Sequence, residues 1–231
     1  MKKFNYIEWI FFDIGSTLMD ETKCYEKRFE ETVCGTDISM EEFKDKVIEF
    51  SCRNLKGDHE AVNYYGLSLP KWHSELEFLY PEAEYVLKKL KSKGYKLGII
   101  AKQPPGTQER LKHYSIADYF EIIISSAEEG VSKPDLKIFQ AALERMGCRA
   151  ENCVMVGDRL DNDIAPAKQI GMKTVWIKQG FARYSSPQSE TEQENLILAE
   201  KYWENKDFND SLIMEMLVDG DIEVVEIIKE I

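Results

Sequence analysis

Four short stretches carry residues that could do chemistry together. They are Asp13-Ile14-Gly15-Ser16-Thr17-Leu18, Ala101-Lys102, Lys133-Pro134-Asp135 and Gly157-Asp158-Arg159-Leu160-Asp161-Asn162-Asp163. Carboxylates supply the oxygen ligands that a hard cation such as Mg²⁺ prefers. A lysine supplies fixed positive charge beside an anionic centre. The set suits a reaction on an anionic substrate, provided the fold brings the four stretches to one place.

The intervening sequence predicts how that happens. Residues 7–12 form an apolar run that reads as a buried strand ending at Asp13. Residues 95–101, 121–125, 153–156 and 173–177 read as four more strands. Ala83, Val86, Leu87 and Leu90 make a helical stripe, and Gly94 follows as a C-terminal cap. Leu136, Phe139, Leu143 and Met146 make another, and a short helix runs to about Ile170. The alternation predicts an α/β protein with a doubly wound parallel sheet, helices on both faces. Such sheets bind ligands beyond the carboxyl ends of their strands. Each of the four stretches lies at such an end or in the loop that follows it.

Residues 20–80 differ. They carry no strong strand signal, Phe43, Val47 and Phe50 fall at helical spacing, and Pro70 and Pro81 punctuate the end. The expected organisation is therefore a core of residues 1–19 and 81–231 with a small α-helical cap, residues 20–80, inserted in it. The segment 188–212 is polar and acidic. Residues 213–218 read as a last strand, and Val224, Ile227, Ile228 and Ile231 as a final amphipathic helix.

Composition narrows the function. With 231 residues, 43% of them hydrophobic, the chain suits one large domain with an insert. Thirty basic against 42 acidic residues give a net charge of −12, which disfavours nucleic-acid and anionic-membrane partners. No apolar run reaches the roughly 18 residues of a membrane helix. Glu8 and Asp13 interrupt the N-terminal apolar stretch, so no signal peptide is expected. Five cysteines without C-x-x-C spacing read as reduced thiols of a cytoplasmic protein. Nothing in the pattern sets an oligomeric state.

The order and spacing of D-x-x-x-T-L, K-P-D and G-D-x-x-x-x-D on this pattern resemble the haloacid dehalogenase superfamily. The resemblance is closest to the branch whose helical cap sits between the first and second motifs, and it covers roughly residues 7–180. It implies a Rossmann-like core and a Mg²⁺-dependent phosphatase acting on a small phosphorylated metabolite. By the resemblance, Asp13 is the nucleophile that forms an aspartyl-phosphate, and Lys133 pairs with it and stabilises the transferring phosphoryl group. The metal falls to Asp13, the backbone carbonyl of Gly15, and Asp158. Asp163 acts from behind, orienting Lys133 or a metal-bound water. Ala101 and Lys102 occupy the phosphate-binding positions. Plainer readings stand beside these: Asp158 and Asp161 as helix caps, Asp20 as structural, Thr17 bonding backbone in its turn.

Two positions depart from the family pattern. Gly15 stands where phosphatases carry a second aspartate, the general acid and base. The backbone carbonyl survives there, but the proton donor is lost. General acid–base help is worth roughly 10²–10⁴ in rate. Good leaving groups, such as aryl or acyl phosphates, should therefore outrun alkyl phosphates, unless the cap supplies a substitute acid. Ala101 stands where a Ser or Thr hydroxyl usually meets a phosphoryl oxygen, and the charge of Lys102 is a substitute. Dehalogenases also lack the second aspartate, but they lack the metal motif that this chain keeps. Phosphonate-cleaving relatives replace the acid and recruit a cap lysine, for which Lys44, Lys46 and Lys56 are available. The competing reading from another class is a degenerate, catalytically weak member that works by binding a ligand or partner.

Overall fold

The computed structural model describes residues 7–53, 55–81 and 83–177. Its centre is the first apolar run: Trp9–Phe12 (β1) has every side chain buried. Short strands at Met19–Asp20 (β2) and Phe78–Leu79 (β3) bracket an insert of three helices, Thr22–Val33 (α1), Met40–Ser51 (α2) and Gly57–Tyr65 (α3). Then come Ala83–Ser92 (α4), Lys96–Ala101 (β4), Thr107–His113 (α5), Ile122–Ser125 (β5), Ser126–Glu129 (α6) and Leu136–Met146 (α7). Cys153–Gly157 (β6), a wide helical turn at Leu160–Ile164, Ala165–Gln169 (α8) and Lys173–Trp176 (β7) follow. The last strand and final helix expected after residue 212, and the acidic segment before them, lie outside the described residues.

The five long strands make one parallel sheet in the order β5-β4-β1-β6-β7. The chain builds outward from β1 through β4 and β5, then returns to the other side of β1 with β6 and β7. The reversal leaves a crevice past the carboxyl ends of β1, β4 and β6. Side chains alternate along each strand. Ile10, Phe12, Leu97, Ile99, Val154 and Val156 pack with Val86, Leu87 and Leu90 of α4 and Leu111 of α5. Trp9, Phe11, Ile100, Ile124 and Met155 pack with Ile138, Phe139 and Ala142 of α7 and Ala167 of α8. A strand buried on both faces needs apolar residues throughout, which is why these segments read as unbroken runs. Gly98 interrupts β4 because a Cβ there would meet the Phe11 ring at 2.7 Å.

The insert has its own apolar cluster, with Phe29 of α1, Phe43 and Val47 of α2, and Ala61 and Val62 of α3. Ser39 caps α2 by accepting the Glu42 N–H at 3.1 Å. A buried ion pair of Arg28 with Asp58, at 2.8 Å, ties α1 to α3. The stretch 20–80 is not wholly helical, however. β2 and β3 pair antiparallel, Met19 with Leu79 and Asp20 with Phe78, where the chain leaves the core and returns. A two-residue strand is too short to show a period of two in sequence.

Candidate active site

Asp13 stands at the end of β1, where its N–H donates to the Val156 carbonyl at 2.9 Å. The turn after it wraps the Ile14 carbonyl, which accepts from Leu18 at 2.9 Å and Met19 at 3.0 Å. Ser16 takes φ +53 in this turn, a left-handed conformation that a non-glycine residue adopts at a cost. Thr17 was expected to bond backbone here. Its hydroxyl is buried and finds no hydrogen-bond partner among the described residues.

Lys133 enters from the loop before α7. Asp135 fixes that loop by capping α7, accepting the Lys137 N–H at 3.0 Å. The ammonium of Lys133, only 2% exposed, donates to Asp13 at 2.5 Å and to Asp163. Burial acts to strip the lysine of its proton, but the two carboxylates outweigh burial and hold its pKa above the ordinary range.

The last stretch follows β6. Gly157 has no side chain for a steric reason: a Cβ there would lie 2.5 Å from the Asp163 side chain. Asp163 is thereby drawn against the strand end, where one oxygen meets Lys133 and the other accepts the Arg159 N–H at 3.0 Å. Burial raises its pKa to about 6, against the pull of Lys133. Asp158 is buried beside Asp163 and Asp13, and desolvation together with those two charges pushes its pKa well up. Trp176 of β7 pins the loop by donating to the Asp158 carbonyl at 2.7 Å. Asp161 pairs with Arg159 at 2.6 Å.

Ligand atoms of Asp13, Asp158 and Asp163 all lie within 4.8 Å of one another. A buried, oxygen-only donor set that pushes its own pKa values upward fits a hard divalent cation, whose charge would relieve the crowding.

The two positions expected to bind phosphate are placed differently. Ala101 is fully buried in the sheet core, so its side chain offers the crevice nothing. Lys102 is exposed at the end of β4, within Coulomb reach of Lys56. Of the insert lysines, Lys46 is engaged by Glu49 at 2.6 Å on α2. Lys56 instead lines the crevice with Tyr25 and Ser51, facing Ser16, Asp158 and Arg159 of the core. Burial lowers its pKa; Asp58 opposes this, and the neighbouring cations Lys102, Arg28 and Arg159 add to it. His73 is held between Glu31 at 3.0 Å and Glu75 at 2.7 Å, away from the crevice.

Glu21 was not singled out in the sequence. It precedes α1 without capping it, because Asp20 accepts the Thr22 N–H at 2.9 Å instead. Its carboxylate turns back over Gly15. Burial pushes its pKa up to about 7; Arg110 opposes this, and Glu77 and Asp13 add to it.

Acids and a lysine gathered at the switch point of a doubly wound sheet make a hydrolase-type site. Comparison with known proteins says which: a model of the haloacid dehalogenase-like hydrolase family matches residues 10–177, and the chain belongs to that family. It is 36% identical over 196 residues to a glyceraldehyde 3-phosphate phosphatase of Pyrococcus abyssi, which covers 75% of this chain and 82% of the relative. It is 35% identical to a phosphoserine phosphatase of Thermus thermophilus over 45% of this chain and 42% of that one. The solved structure of a HAD phosphatase from Thermococcus onnurineus superposes with a TM-score of 0.52 and 29% identity, covering 74% of this chain and 86% of the other. The chain is thus a hydrolase of the phosphatase type. Among the described residues, no helix is long and apolar enough to cross a membrane.

Proposed function

We propose that the chain hydrolyses a small phosphomonoester or acyl phosphate in the cytoplasm, by way of an aspartyl-phosphate on Asp13. The observation that carries this reading is the buried Lys133 bridging Asp13 and Asp163 at the mouth of the sheet. In that arrangement Lys133 neutralises the nucleophile and then the transferring phosphoryl group. Asp163 keeps Lys133 aimed. Asp13, the Gly15 carbonyl and Asp158 would hold Mg²⁺, which when bound supplies Lewis-acid charge to the phosphoryl oxygens.

We read residues 1–19 and 81–231 as the catalytic core and 20–80 as the cap that closes the crevice. Lys56 and Arg159 give that crevice positive charge suited to a phosphorylated substrate. The printed activity of the Pyrococcus relative makes a small phosphorylated aldehyde the first compound to try. An acidic chain has no evident use for nucleic acid or membrane.

The test measures Mg²⁺-dependent phosphate release from an aryl phosphate, acetyl phosphate and a triose phosphate, with Asp13→Asn as control. Turnover that needs the metal and is lost in the variant is the expected result. Equal residual rates in both proteins would remove Asp13 from its role. No turnover on any substrate, with Mg²⁺ bound, would favour the ligand-binding reading, for which Gly15 and Ala101 speak.

A further inference from the structure

Gly15 leaves room two residues after the nucleophile, and another carboxylate fills it. A Cβ built on Gly15 would lie 2.7 Å from Oε1 and 2.9 Å from Oε2 of Glu21. A side chain at position 15 and the Glu21 carboxylate therefore compete for one volume. Glu21 is held there. Ser16 Oγ donates to its Oε2 at 3.3 Å, and the Arg110 guanidinium stands 3.8 Å from Oε1. Arg110 is itself fixed by Glu77, at 2.6 Å and 3.0 Å, and by Gln103. The Glu21 side chain is 13% exposed, so it is sheltered yet reachable. Among the described residues, it stands outside the acidic group of Asp13, Asp158 and Asp163.

We propose that Glu21 is the general acid and base of this enzyme, taking the place of the missing aspartate; the proposal rests on the phosphatase reading above. In the first step, an Asp13 oxygen bonds to phosphorus and the bond from phosphorus to the alcohol oxygen breaks. That oxygen keeps the electron pair and takes the proton of the Glu21 carboxyl, and the alcohol leaves. In the second step, the Glu21 carboxylate takes a proton from water as the water oxygen bonds to phosphorus. The bond from phosphorus to Asp13 breaks, inorganic phosphate leaves, and Glu21 is again protonated. Atoms and charge balance with water as the only co-reactant.

A carboxylate that merely braces the insert through Arg110 would affect all substrates alike, whereas a proton donor matters in proportion to the basicity of the leaving group. An alkoxide needs help that a phenolate, with a parent pKa near 10, largely does without. The experiment follows single-turnover release of the alcohol from glycerol phosphate and of the phenol from 4-nitrophenyl phosphate, with Mg²⁺. Glu21→Gln is expected to slow glycerol release by about 10²–10⁴ and nitrophenol release by less than about tenfold. The double variant Gly15→Asp with Glu21→Ala, which moves the carboxyl to position 15, is expected to recover glycerol release at least about tenfold over Glu21→Gln. Equal losses on both substrates, with no recovery in the double variant, would overturn the proposal. A wild-type chain inactive on both substrates would overturn the phosphatase reading itself, and the role of Glu21 with it.

Discussion

Two clusters of the same composition flank the first turn after β1. In each, two carboxylates share one cation. On one side Asp13 and Asp163 share Lys133; on the other Glu21 and Glu77 share Arg110. The outcomes differ. Lys133 reaches both of its acids, and it is fully buried. Arg110 is committed to Glu77, which takes two of its N–H groups, and stays 3.8 Å from Glu21. One cation shared evenly ties Asp13 and Asp163 into one buried unit around Lys133. Burial, which an Arg110 claimed by Glu77 only partly opposes, lets the second acid hold a proton near neutrality.

Breaking the first cluster should have the largest effect. Lys133→Ala leaves Asp13 and Asp163 buried without their cation, and removing one member of a buried pair costs about 3–5 kcal/mol. Urea unfolding at neutral pH reads this. A loss under about 1 kcal/mol would mean that the acids are not charged around Lys133.

The second cluster predicts a pH effect of opposite sign to the usual carboxylate. The Glu21 pKa is raised on folding, from 4.5 to about 7. Its contribution is fully present below pH 4.5 and is lost as pH rises through 7. In metal-free protein, Glu21→Gln should therefore match wild type near pH 4.5 and exceed it by about 3 kcal/mol at pH 8. Parallel stability curves across that range would contradict the shift.

Magnesium should act on the first cluster alone. At a hundred times its dissociation constant it should stabilise the folded chain by about 2.7 kcal/mol. Asp158→Asn should abolish that gain and Glu21→Gln should keep it, as thermal melts with and without the ion would show.

The smallest effect tests the sharing directly. Glu77→Gln releases Arg110 toward Glu21, and the fall in stability with pH should move down by roughly one pH unit, about 1.4 kcal/mol. An unmoved midpoint would show that burial, rather than the claim of Glu77 on Arg110, sets the acidity of Glu21.

The two clusters were unequally legible. Asp13 and Asp158 each directly follow a buried parallel strand, and such strands stand out as apolar runs, so the ends of β1 and β6 located these two acids. Asp163 lies further on, in the turn Leu160–Ile164, and was marked by the G-D-x-x-x-x-D spacing. Lys133 was marked by Pro134 and by the cap residue Asp135 of a strongly amphipathic helix. Glu21 had no comparable signal. One glutamate among 42 acids, at the start of a helix, gains meaning only from the bare Cα of Gly15 beside it. Arg110 was missed with its helix: α5 is short and polar, and only Thr107 and Leu111 are buried, so no stripe appears. The β2–β3 pair joins residues remote in sequence through two positions on each strand.

That pair has a mechanical consequence. Both strands of the joint end beside the second cluster: Glu21 directly follows β2 and Glu77 directly precedes β3. An aspartate at position 15 would be bolted to the bed of the machine, beside the nucleophile. Glu21 is mounted on the joint between insert and core instead. A displacement of the insert about that joint would carry the Glu21 carboxylate with it, whereas a side chain at position 15 would stay with the core turn.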